Sequence, residues 1–107
     1  AAMKQALPDC RPVPFGHVGD GNLHFNCQSP PGWDKKRFMT HGEAISGAVY
    51  DLVVGYGGSI SAEHGIGRLK VDELAHYRSR IELDTMRTIK RALDPQNLMN
   101  PGKIVRV

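Results

Sequence analysis

Five residues of the chain have types and spacings that could do chemistry, and three of them sit in one short stretch. In "FGHVGDGNLHFN", His17 and His24 flank an Asp20-Gly21 pair, and Asn26 follows two residues after His24. Asp-Gly is among the strongest short signals for a two-residue type I′ hairpin, because both central positions need φ > 0. That loop makes Gly19 face Asn22, Val18 face Leu23 and His17 face His24, with the Cβ atoms of opposed residues ~5 Å apart. Alternation along the strands puts Asn26 on the face of His24 and Phe15 on the face of His17. Two imidazoles so placed can share one metal ion at a Zn–N distance of ~2.0–2.1 Å. The competing reading is a polar pair decorating a half-exposed hairpin. A one-residue slip would break up the face, so register decides between them. Asp20 is accounted for by the turn.

The other two residues lie in "SAEHGIG". Glu63 can complete a His₂Glu set, the three-ligand type that leaves a coordination position open for water or substrate. The alternative is a surface Glu-His pair. His64 is the immediate neighbour of Glu63, and neighbours in a strand point to opposite faces. Both reach one pocket only if the chain bends at Gly65, a bend that Gly65 and Gly67 make easy. His41 and His76 fall within helical segments and read as structural or exposed. Gly55-Tyr56-Gly57 starts like a dinucleotide fingerprint, but Ile60 stands where the third glycine belongs, and a helix precedes it where a strand should. There is no Walker spacing, HExxH, CxxC or GxSxG.

These residues need elements to hold them. The 107-residue chain reads as one domain, with 40% hydrophobic and 23% charged residues. Its opening, "AAMKQALPDC", shows no capped element and reads as an entry into a longer polypeptide. "SPPGWD" is a turn closing the hairpin. A helix is predicted from about Asp34 to Val54, its buried stripe made of Phe38, Ile45, Ala48, Val49, Leu52 and Val53. Ser59 to Gly65 reads as a short strand, "VDELAHYRS" as a short helix, and "ELDTMRTIKRALDP" as a stronger one with Leu83, Met86, Ile89 and Leu93 buried. Asp94-Pro95 ends it. The predicted class is α+β: a partial ferredoxin-like sandwich of antiparallel hairpin, long helix, short strand and C-terminal helices.

Composition narrows the partners. Net charge is +3, but the basic residues are interleaved with acidic ones on helices, and aromatics are 7%. A nucleic-acid groove needs a basic stripe with stacking aromatics, so none is expected. No apolar run reaches the ~20 residues that span a bilayer, and no signal peptide is evident. Cys10 and Cys27 lack metal or redox spacing, which makes a cytoplasmic compartment the default, with peripheral membrane association open.

"GHVGDGNLHFN", "SAEHGIGRLK" and "LDPQNLMNPGK" together resemble the C-terminal region of the FAD-linked oxidase family, from about Phe15 to Lys103. The resemblance implies part of a substrate, or cap, domain packed on an FAD-binding domain of the same polypeptide that lies outside this chain. It implies a flavin-dependent 2-hydroxy-acid dehydrogenase, with His17, His24 and Glu63 as metal ligands. His64 would be the base taking the hydroxyl proton, and Asn26 a substrate contact. Asn100 and Lys103 would lie on the flavin side. The metal expected is Zn²⁺, with Mn²⁺, Fe²⁺ or Co²⁺ open. Alone, the fragment is expected to be inactive, colourless and self-associating. Two alternatives are a stand-alone metal-binding or assembly module and a metal-dependent hydrolase.

Overall fold

The computed structural model describes residues 1–107, which divide into two compact units, Ala1–Ser59 and Ile60–Val107. In the first, helix α1 (Ala2–Ala6) precedes strands β1 (Arg11–His17) and β2 (Asn22–Gln28), followed by helices α2 (Lys35–Met39) and α3 (Gly42–Gly55). The second holds helices α4 (Val71–Tyr77) and α5 (Arg80–Leu93). The α+β class holds, with the hairpin as the whole of the sheet.

The hairpin register differs from the expected one. Phe15 faces His24 and His17 faces Asn22, so the loop is Val18 to Gly21 rather than Asp20-Gly21 alone. A 3₁₀ turn occupies Val18–Asp20, Gly21 N–H donates to Val18 C=O at 3.3 Å, and Gly21 alone takes positive φ, at 63°. Type I′ geometry needs positive φ at Asp20 as well, and a longer loop relieves that demand. The prolines of β1 fix what remains. Pro12 and Pro14 face Cys27 and Phe25. Having no N–H, they can sit only at non-hydrogen-bonded pairs, so Arg11, Val13, Phe15 and His17 carry the ladder. Gly16 is also required: a Cβ there would lie 2.1 Å from the Asn22 carbonyl oxygen.

The single helix expected from Asp34 to Val54 is two helices. Asp34 caps α2 by accepting Arg37 N–H at 2.7 Å. Thr40 Oγ1 then donates to the Arg37 carbonyl at 2.7 Å, and His41 N–H goes to Phe38 C=O at 3.0 Å. The hydroxyl thus takes the carbonyl that an unbroken helix offers to His41, and the chain restarts at Gly42. The strand expected over 59–65 is absent; this segment bends instead. A strand needs a hydrogen-bonded partner, and the sheet consists of β1 and β2 alone. α1, unforeseen from the sequence, has no side-chain cap and is held by burying Met3. Met3, Leu7, Cys10 and Ile45 make this unit's core, with Cys27, Trp33, Phe38 and Val49 packed against it.

In the second unit, α5 starts at a capping box: Glu82 N–H donates to Ser79 Oγ, and Ser79 N–H to Glu82 Oε2 at 3.1 Å. The expected apolar stripe is buried only at its start. Leu83 packs with Leu74 and Val105, and Met86 joins them, but Ile89 and Leu93 are 54% and 73% exposed. Beyond α5 the chain folds around one carboxylate. Asp94 accepts Leu98 N–H and Met99 N–H, each at 2.8 Å, and also the Lys90 ammonium. Lys90 reaches the Met99 carbonyl as well. Further on, Ile104 N–H donates to Gly67 C=O at 2.8 Å, tying the tail to the glycine loop.

The Lys90 hydrogen bond, with the two backbone N–H groups, holds the Asp94 carboxyl below the ordinary aspartate value of 3.8 despite its burial. A depressed folded value gives stability that is fully present above the ordinary value and lost as pH falls through the folded one. Asp94→Asn should therefore lower the melting temperature by about 5 °C at pH 7. The gap should close as both proteins are acidified below about pH 4. Scanning calorimetry across pH 2.5–7 checks this, and a gap unchanged at low pH would contradict it.

Candidate metal centre

The site is built on one face of the hairpin. Because β1 and β2 alternate, Val13, Phe15 and His17 share that face with Asn22, His24 and Asn26. The observed register places His17 opposite Asn22, diagonal to His24. The histidines nevertheless meet, with ring centroids 5.8 Å apart at 68°. The register differs from the expected one by two residues in pairing sum, and an even shift preserves the faces. Convergence survives although direct opposition does not.

Phe15 positions His24. Their rings stack with centroids 4.7 Å apart and planes 7° from parallel, which limits the rotation of a half-buried imidazole. His17 is exposed at the end of β1. One ring nitrogen of each histidine lies within 4.8 Å of the other. Two Zn–N bonds of ~2.0–2.1 Å span up to about 4 Å, so a small turn of the exposed ring suffices for a shared ion. The donor chemistry fits a borderline divalent cation. Asn26 pairs with Val13 and is exposed beside His24. The sequence reading passed over Phe15 as a positioning group and Asn22 as a buried polar residue facing His17. Strict alternation with the histidines was the available signal for both.

In the second unit, Glu63 and His64 are exposed residues of the bend that leads to the glycine turn. Ser61 Oγ donates to the His64 carbonyl at 2.6 Å, and Lys70 Nζ to the Ile60 carbonyl at 3.3 Å, which fixes the loop's backbone. The bend falls at Ala62–His64, and the left-handed residue is Gly67, φ 60°, rather than Gly65. Asn100, itself left-handed at φ 48°, accepts Lys103 Nζ at 3.2 Å, and both are exposed in the tail.

The antiparallel hairpin thus displays two imidazoles and the amides of Asn22 and Asn26 on one face, within an α+β chain. The family model described as "FAD linked oxidases, C-terminal domain" matches residues 2–104, and the chain belongs to that family. It is 44% identical over 104 residues to a D-2-hydroxyglutarate dehydrogenase of Stutzerimonas stutzeri, covering 97% of this chain and 22% of that protein. A D-lactate dehydrogenase of Archaeoglobus fulgidus is 43% identical over 95 residues, which are 88% of this chain and 20% of that protein. The glycolate oxidase subunit GlcD of Bacillus subtilis is 37% identical over 90 residues, 84% and 19% of the two chains. The chain thus spans about a fifth of the length of these relatives.

Two outcomes are expected. Calorimetric titration with Zn²⁺ should give about one site per chain, weakened more than about 10²-fold in His24→Ala. Equal affinity in the variant would remove His24 from the ligand set. Gly16→Ala should destabilise the hairpin by about 1–3 kcal/mol, because the methyl meets backbone rather than a yielding side chain. Amide exchange along β1 and β2 reads this directly.

Proposed function

We propose that the chain is the C-terminal part of a flavin-dependent dehydrogenase that oxidises a small 2-hydroxy acid to a 2-oxo acid. The observation that carries this reading is membership of the FAD-linked oxidase family combined with the His17–His24 pair on one hairpin face. D-2-hydroxyglutarate dehydrogenase, D-lactate dehydrogenase and the glycolate oxidase subunit among the relatives point to the same substrate class.

The residues take the following roles in that reading. His17, His24 and Glu63 hold a divalent cation, Zn²⁺ first among candidates. Such an ion, when bound, polarises a substrate oxygen as a Lewis acid. His64 removes the proton from the substrate hydroxyl as general base, and its position one residue after Glu63 gives the base and the ligand a common anchor. Asn26 offers an amide to the substrate beside His24. Asn100 and Lys103 face the flavin side, where the Lys103 ammonium supplies positive charge. FAD, carried by another domain of the same polypeptide, supplies the hydride acceptor. The two free thiols, Cys10 and Cys27, suit a reducing, cytosol-like compartment. No helix is long and apolar enough to cross a membrane. Exposed apolar side chains such as Leu23, Leu69 and Leu98 favour self-association of the isolated chain.

Ligand and base fail differently when replaced in the full-length protein. Glu63→Ala should lower metal content and flavin reduction together. His64→Ala should keep metal content near the parent's while slowing flavin reduction ~10²–10⁴-fold, the usual worth of a positioned general base. The loss should fall mainly on kcat. Metal content measured beside stopped-flow flavin reduction separates the cases. Loss of metal in His64→Ala would make His64 a ligand, and reduction at the parent rate would place the base elsewhere.

A further inference from the structure

The tail after α5 reverses twice, and only the first reversal suits its residues. Asn100-Pro101-Gly102-Lys103 is a four-residue turn closed by Lys103 N–H on the Asn100 carbonyl at 3.4 Å. Proline fits its second position, and Gly102 takes the positive φ, 69°, that the third position of a type II turn requires. The second reversal is centred on Ile104. Val105 N–H donates to the Lys103 carbonyl at 2.8 Å across a residue at φ 66°, the uncommon γ-turn whose central φ is positive. For a β-branched residue this is a strained conformation, which persists only where its surroundings hold it from both sides. They do. Ile104 N–H donates to the Gly67 carbonyl at 2.8 Å. Val105 is buried with Leu74 and Leu83, and Arg87 Nε holds the next carbonyl, that of Arg106, at 3.0 Å. The Ile104 side chain is 49% exposed, so its own burial does not offset the strain.

The other end of that bond lies in the loop of Glu63 and His64. Ser61 Oγ on the His64 carbonyl and Lys70 Nζ on the Ile60 carbonyl fix the first half of the loop. Its second half is Gly65-Ile66-Gly67, where two glycines leave the backbone wide freedom. Ile66 packs beside Leu74, Leu83 and Val105, and Lys70 N–H reaches its carbonyl at 3.4 Å. Gly67, at φ 60°, is where the bond from Ile104 closes this half. We propose that Ile104 is a positioning residue for His64: its left-handed backbone turns an N–H onto Gly67 and so holds the loop that carries the base. The inference rests on the general-base role proposed above for His64 and adds the group that fixes the place of that base. The contribution belongs to the backbone of Ile104. Glycine reaches the same φ without strain and keeps the N–H, so it should serve at position 104. Proline, with φ held at about −65° and no N–H, should not.

The test uses the full-length flavoprotein with Ile104→Gly, Ile104→Val and Ile104→Pro. Two quantities are read: hydrogen exchange over residues 60–67 without substrate, and stopped-flow flavin reduction per bound FAD with a saturating 2-hydroxy acid that reduces the parent. Counting per bound FAD makes the rate blind to how much protein folds. The glycine and valine variants should match the parent in both. The proline variant should exchange faster over 60–67 and reduce flavin about 10²-fold more slowly, the scale on which a small displacement of a positioned group acts. Should that variant fail to bind FAD, exchange at the amide of residue 104 in the parent and the glycine variant decides. It should be slow in both, and exchange at the rate of a free amide overturns the tie to Gly67. Slow reduction in the glycine variant beside normal reduction in the valine variant assigns the effect to the side chain and overturns the inference. Parent-like exchange over 60–67 in the proline variant removes the tie, and faster exchange with parent-like reduction removes the positioning role. His64→Ala, measured alongside, keeps the two readings apart. Slow reduction there beside parent-like reduction in the proline variant overturns this inference alone, while parent-like reduction in both overturns the base as well.

Discussion

The N–H groups that Pro12 and Pro14 lack constrain the first unit more than any contact does. A proline cannot take part in a hydrogen-bonded antiparallel pair, so its two occurrences, at alternate positions of β1, dictate which residues exchange hydrogen bonds with β2. That choice fixes which residues of β1 turn their backbone groups towards β2, and the pairing of Phe15 with His24 then sets the faces. His17, His24 and Asn26 fall on one side, while Cys27 falls on the other, against the core of Met3, Leu7, Cys10 and Ile45. Gly16 completes the constraint from the loop end, because only a residue without Cβ allows the Asn22 carbonyl so close. Core packing and face chemistry are thus two consequences of one ladder. Partial burial against that core raises the Cys27 thiol to about 11, aided by the neighbouring Cys10 thiol.

The second unit reaches its order differently. Only Leu74, Leu83 and Val105 are buried together, with Ile66 and Met86 beside them. Such a core is small, and the backbone geometry depends on polar fixtures. Asp94 gathers two N–H groups and an ammonium. Arg87 Nε donates to the Arg106 carbonyl at 3.0 Å, and Arg106 pairs with Asp72 at 2.8 Å. The latter pair is exposed and contributes little energy, yet it gives the tail a direction. Through Ile104 N–H on the Gly67 carbonyl, the same tail steadies the loop that carries Glu63 and His64.

Much of this was legible in the residues, though not evenly. The hairpin was plain from Asp20-Gly21 between alternating residues, and the face shared by His17, His24 and Asn26 followed from alternation alone. The register was missed because Asp-Gly was weighed as a two-residue loop. Pro12 and Pro14 occupy non-hydrogen-bonded pairs in either register, so what separates the two is the positive φ that the shorter loop demands of Asp20 and the longer one spares it. The broken helix was hidden because apolar periodicity runs across Thr40-His41. What breaks it is a hydroxyl competing for one carbonyl, a local effect that no hydrophobic pattern records. Ser59 to Gly65 carries strand-like residues, but propensity alone does not supply the pairing that makes a strand, and the segment bends instead. At α5 the helix was read from Glu82, and the Ser79-Arg80-Ile81-Glu82 capping box that starts it at Arg80 went unread, while the exposure of Ile89 and Leu93 shows that periodicity reports amphipathicity, not how much of the stripe is covered.

The candidate centre tolerates the register error for a reason that bears on how such sites are built. A ligand pair on a hairpin depends on parity first and on direct opposition second, because diagonal neighbours on one face remain within reach of ring-bearing side chains. The hydrogen-bonded position of Phe15 opposite His24 sets the pair of rings flat against each other, and that stacking leaves His24 only one side from which to meet His17. His17 closes the strand next to the loop and is exposed, while His24 is half-buried against Phe15. Parity thus brings two imidazoles together, and stacking on an aromatic neighbour orients one of them; both nitrogens are donors of the kind a borderline cation prefers.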